Sequence, residues 1–151
     1  RQYVNQWLSR GAYTPMFVLD GSEVYNRSHR ALTEKSKSVG VLMAKKTSFQ
    51  NYIITFSPTK KIDIPLYIHY SILGSGIATK ITAGENGGRK LFHDFLSLKM
   101  ESFSLKKSGN VYKANINIDI KQSKPSPQKA IVFWVSQGKS LKPIQVLGFS
   151  I

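Results

Sequence analysis

The sequence predicts an α+β chain dominated by strands: a short β-β-α unit followed by an antiparallel β-sandwich. Three observations carry this. Met16–Leu19 is an apolar run opened by Pro15 and closed by Asp20-Gly21. A proline has no N–H to give a ladder, so it suits a strand's first residue, and Asp-Gly is a hairpin signal. Downstream, apolar residues recur at every second position, the period of a half-buried strand. Turn-forming clusters separate these stretches at sandwich spacing. At 151 residues, 41% of them apolar, the chain can bury a core. No apolar run approaches the roughly 20 residues of a membrane-spanning helix.

In chain order, Gln2–Ser9 sets Tyr3, Val4, Trp7 and Leu8 on one side at helical spacing, and Arg10-Gly11 gives a basic last turn and a glycine stop. The strand pair around Asp20-Gly21 follows. Ser28 can cap a helix running to about Lys37, which Gly40 ends. These elements define a first unit over residues 1–44, with the junction at Lys45–Phe49 and a sandwich domain over 45–151. Within the sandwich, Tyr52, Ile54 and Phe56 alternate with their neighbours, as do Ile64, Leu66, Ile68, Tyr70 and Ile72. The clearest alternation is Tyr112, Ala114, Ile116, Ile118 and Ile120 against Lys113, Asn115, Asn117 and Asp119. A one-residue slip there would expose the whole core set. Further strands are expected at Ile77–Thr82, Leu91–Leu105, Ala130–Ser136 and Ile144–Phe149. The intervening turns are Gly74-Ser75-Gly76, Gly84–Gly88, Ser108-Gly109-Asn110, the Pro125 and Pro127 loop, and Gln137-Gly138.

Several separated stretches carry a resemblance. They are Arg1-Gln2 followed by Gly11-x-Tyr13-Thr14-Pro15, then Asp20-Gly21, Ser28-x-Arg30-Ala31, Gly84-Glu85-Asn86-Gly87-Gly88-Arg89, His93-Asp94, Ile131–Val135 and Val146-Leu147-Gly148. Together they resemble an uncharacterised family of bacterial secreted proteins, also found in plants, that joins a thioredoxin-like part to a β-rich C-terminal part. The resemblance implies that residues 1–44 are a partial thioredoxin-like β-β-α unit. It also implies a secreted or periplasmic location. Full members carry a Gly-Cys-x-x-Cys-Pro segment that these residues lack, so the chain reads as a fragment of a longer protein. By the same resemblance Pro15 is a cis proline and Thr14 the residue offering its backbone to a peptide. The implied partner is a protein thiol met by the full-length parent.

The residues themselves offer little catalytic chemistry. With no cysteine, there is no disulfide, thiolate nucleophile or thiolate metal site within them. His29, His69 and His93 have no partner at metal-ligand spacing, and the eight acids form no evident carboxylate pair. No catalytic residue, metal or cofactor is therefore assigned. Trp7 and Trp134 are expected as core anchors. The net charge is +14, and residues 41–151 hold sixteen Lys/Arg against five acids, an excess of eleven. Such a field favours an anionic polymer or surface, although lysines along strands also keep sheets soluble and block edge pairing. Gly84, Asn86, Gly87, Gly88 and Arg89 form a candidate anion-binding loop, since glycines allow backbone N–H groups to converge. They also suit a plain strand connection. An incomplete first unit leaves sheet edge and apolar surface uncovered, so self-association of the fragment is expected.

Overall fold

The computed structural model describes residues 18–19, 22–23, 38–138, 140 and 142–151. Strand β1 (Val18–Leu19) pairs antiparallel with β2 (Ser22–Glu23), Leu19 opposite Ser22, so the pair brackets positions 20–21 where the sequence expects its turn. The expected helices over 2–9 and 28–37, and Thr14-Pro15, lie outside the described residues. What is described is strand-dominated and antiparallel throughout, with a single 3-10 turn as its helical content. The thioredoxin-like unit gains no support from it.

Ten further strands follow: β3 (Gly40–Lys46), β4 (Asn51–Pro58), β5 (Leu66–Ser75), β6 (Ile77–Lys80), β7 (Lys90–His93), β8 (Leu96–Ser104), β9 (Lys106–Ser108), β10 (Val111–Asn117), β11 (Gln128–Gln137) and β12 (Pro143–Ser150). One four-stranded sheet has the order β3-β4-β10-β9 and the other β12-β11-β5-β8. Their apolar faces meet. Tyr52, Ile54 and Phe56 of β4 and Tyr112 and Ile116 of β10 pack with Ile68, Tyr70 and Ile72 of β5 and Ile131, Phe133 and Val135 of β11 in one buried cluster. Phe133 sits at its centre, 5.8 Å from the Tyr52 ring across the sheets and 6.4 Å from Tyr70 within its own. The alternation read in β4, β5 and β10 is this core face.

Glycine sets two approaches. Gly40 (φ +144°) begins β3 so close to β4 that a Cβ would lie 2.5 Å from the Ser57 carbonyl oxygen, and its own carbonyl accepts from Gln145 Nε2 of β12 at 2.9 Å. This ties the edges of the two sheets together. Gly109 (φ +61°) takes the first position of the two-residue β9–β10 turn, where a primed turn needs a positive φ. The chain passes from one sheet to the other between β8 and β9 through the single buried residue Leu105, whose N–H donates to the Leu66 carbonyl.

Several boundaries depart from expectation. Because β3 is an edge strand of the sandwich and starts at Gly40, the sandwich includes Gly40–Ala44, which the 44/45 boundary placed in the first unit. The single strand expected over Leu91–Leu105 is broken by a turn at Asp94-Phe95 into β7 and β8. Ile118 and Ile120 do not extend β10. Ile118 is buried, but the chain then turns at Ile120–Gln122, capped by the Asp119 carboxylate accepting from the Lys121 N–H at 3.0 Å. Ile64 precedes β5 and is exposed.

Candidate binding surface

Of the residues singled out by sequence, Thr14 and Pro15 lie outside the described residues, while the glycine loop is fully placed. It is the tip of the β6–β7 hairpin, and it is folded on itself. Gly87 N–H donates to the Gly84 carbonyl at 2.9 Å, Gly88 N–H to Ile81 at 2.8 Å and Arg89 N–H to Asn86 at 3.2 Å. An anion cradle needs amides that point outward and are unengaged; these three close the turn instead. The Arg89 guanidinium is oriented by a 3.2 Å hydrogen bond to Asn86 Oδ1.

Over residues 41–151 sixteen Lys/Arg outnumber five acids, and most of those acids make local contacts. Asp63 pairs with Lys61 at 3.1 Å and with Lys107 at 3.9 Å, and Glu101 pairs with Lys99 at 3.2 Å. Asp94 accepts from the Gly76 N–H at 3.0 Å, and Asp119 caps the 3-10 turn. Among the described residues, Glu85 has none of these roles. Lysines meanwhile face one another. Lys106 lies opposite Lys113 across β9–β10, and Lys80 opposite Lys90 across β6–β7. Like charges directly opposite on a sheet are destabilising. At the end of the first sheet, Lys46 and Lys121 sit 5.9 and 5.5 Å from the ring of exposed Phe49.

The outer face of the second sheet carries one polar group of interest. His69 of β5 is held on both nitrogens, Nδ1 2.6 Å from Ser102 Oγ and Nε2 2.8 Å from Ser136 Oγ, and its ring stacks on Trp134 at 5.1 Å. Burial lowers its pKa below the ordinary 6.5, favouring the neutral ring. Trp134 is therefore not the core anchor that sequence predicts. Ile131, Phe133 and Val135 take the core face of β11, and parity sends Trp134 to the other side. A strand apolar on both faces hides its own parity.

No catalytic arrangement emerges around His69, since both nitrogens meet serine hydroxyls without a carboxylate behind them. His93 lies in β7 while Asp94 turns away to the Gly76 amide, so this adjacent pair does not act together. Among the described residues no cluster of three or more His, Cys, Asp or Glu could hold a metal ion, and no helix is long and apolar enough to cross a membrane. In the core, Tyr70 Oη is buried without a hydrogen bond of ordinary geometry, and burial, then the neighbouring Glu101, raises its pKa.

The solved structure described as "Crystal structure of Br derivative BhCBM56" is similar at 10% identity and a TM-score of 0.41, over 78% of this chain and 97% of that one. Comparison with curated proteins finds no match. The family described as "Protein of unknown function (DUF1223)" matches residues 1–136, well over half of the sequence, and the chain belongs to that family.

Proposed function

We propose that the chain is a non-catalytic binding module whose basic sandwich attaches to an anionic polymer or surface. The observation that carries this reading is the excess of eleven positive charges over residues 41–151. A field of that size raises encounter with anions and releases their counterions on contact. The test is retention on heparin as salt is raised. Strong retention at low salt should fall log-linearly and vanish by several hundred millimolar, because the Debye length shrinks to about 3 Å by 1 M. Retention indifferent to salt would overturn an electrostatic mechanism.

A second reading places the module in a secreted or periplasmic thioredoxin-like parent with its cysteines upstream, Thr14-Pro15 completing the site. It rests on the resemblance carried by Thr14-Pro15 and Asp20-Gly21 in the sequence. Its test is the coding sequence ahead of Arg1, where absence of a Cys-x-x-Cys pair would remove the thiol-exchange role.

A further inference from the structure

The β6–β7 hairpin breaks two local rules at once. It is a ribbon of four residues a strand, hydrogen-bonded to no other strand among the described residues and exposed along nearly all its length. Two-stranded ribbons of this kind are marginal in water and normally bury one face. This one buries neither. In its register Ala78 opposes Phe92 and Lys80 opposes Lys90, so these four side chains share a face. Phe92 on that face is 73% exposed, Leu91 on the other is 49% exposed, and the two lysines repel each other with Arg89 next in sequence.

The ribbon's direction is nonetheless fixed. At its base the Gly76 N–H donates to Asp94 Oδ1 at 3.0 Å and the Phe95 N–H to Ser75 Oγ at 3.1 Å. Phe95 itself holds a left-handed φ of 57°, a conformation a bulky residue rarely adopts and one that surrounding contacts must maintain. At the tip the Ile81 N–H donates to the Arg89 carbonyl at 2.9 Å, and the Gly88 N–H returns to Ile81. The structure thus presents an aromatic side chain and a cation pair, pre-formed, clear of the sandwich.

We propose that the β6–β7 ribbon docks on an anionic lipid bilayer, Phe92 entering the interface while Lys80, Lys90 and Arg89 meet the headgroups. This rests on the anionic-partner reading above and names the partner. Charge complementarity selects it: a second copy of the chain would bring the same cations into opposition. An anionic polymer would satisfy the lysines and leave Phe92 in water. An acidic bilayer interface supplies both a negative surface and an apolar phase within one side chain's length.

The experiment uses the full chain with vesicles of phosphatidylcholine alone or mixed with phosphatidylglycerol, and heparin beside them. Because the chain has no cysteine, Phe92→Cys carries a unique environment-sensitive label, and Lys113→Cys on the sandwich is its control. Binding to mixed vesicles only, with a blue shift at position 92 and none at 113, is the expected result. Phe92→Ser should weaken partitioning roughly tenfold, and Lys80→Ser with Lys90→Ser about fivefold for each charge removed. Thermal unfolding of each variant checks that the sandwich persists. Vesicle binding with no shift at 92 overturns the ribbon's role, as does equal binding to neutral vesicles. Heparin binding without vesicle binding overturns the lipid partner and leaves the broader reading standing; binding to neither overturns both.

Discussion

The sandwich and the β6–β7 ribbon are built from the same chain segments and behave oppositely. β5 runs to Ser75 and β6 resumes at Ile77; β7 ends at His93 and β8 resumes at Leu96. One antiparallel hairpin therefore crosses from a buried environment to an exposed one. Along β5, Leu66, Ile68, Tyr70 and Ile72 are each no more than 1% exposed because a second sheet covers them, whereas Phe92 on the continuation is 73% exposed. Backbone pairing is common to both regions. The facing sheet is what differs, so burial rather than strand formation separates a stable core from a presented surface.

Phenylalanine exchange is the sharpest way to break that contrast. Phe133→Ala removes the ring that meets Tyr52, Tyr70 and Phe149 and should cost about 3–5 kcal/mol in urea unfolding. Phe92→Ala should stay within about 0.5 kcal/mol. Comparable losses would mean that the ribbon is packed after all.

His69 tests the outer face of the second sheet, which lies between these extremes. Its pKa is lowered in the folded chain by burial, so the unfolded chain binds the proton more readily. Stability should be full above pH 6.5 and decline as pH falls below it, until the folded-state value is passed. His69→Gln should flatten that segment of the melting-temperature profile; a wild-type profile already flat from pH 7 to 5 would contradict the burial. The smallest effect belongs to Tyr70→Phe. Its hydroxyl is buried beside Glu101 without a hydrogen bond of ordinary geometry, so removal should leave stability unchanged or raise it by up to about 1 kcal/mol. A loss beyond about 1 kcal/mol would reveal a hydrogen bond that geometry does not show.

The core was the legible part of the sequence, because alternation in β4, β5 and β10 maps directly onto one buried face. What escaped has specific causes. The Asp94-Phe95 turn interrupts a stretch containing neither glycine nor proline, and Ser75 and Gly76, nearly twenty positions earlier in the chain, hold it in place. Trp134 was misplaced because β11 is apolar on both sides. Ile118 and Ile120 keep the strand period after β10 has ended, and the signal that ends it is the Asp119 cap. β3 is hard to read from sequence because its core set is Leu42 and the small Ala44, behind a glycine that suits a helix stop. As for the surface, the charge excess was plain in the composition, but the joining of Phe92 to Lys80 and Lys90 depends on a hairpin register that no local spacing encodes. The glycine loop was located correctly as a turn, while its amide directions follow from hydrogen bonds that a list of residues does not contain.

The central ladder of the second sheet joins β5 to β11, from Ser75 opposite Gln128 to Leu66 opposite Gln137. Paired residues lie from 53 (Ser75 to Gln128) to 71 (Leu66 to Gln137) positions apart, so no local hairpin can template this pairing, and the loop-closure entropy must be met before its contacts form. The first sheet's β3–β4 hairpin has no such delay. Folding should therefore be slow and late-closing, on the millisecond-to-second scale of non-local β-topologies. During synthesis β5 would hold a bare edge beside β8 until β11 emerges, which makes that interval the chain's period of greatest exposure to mispairing.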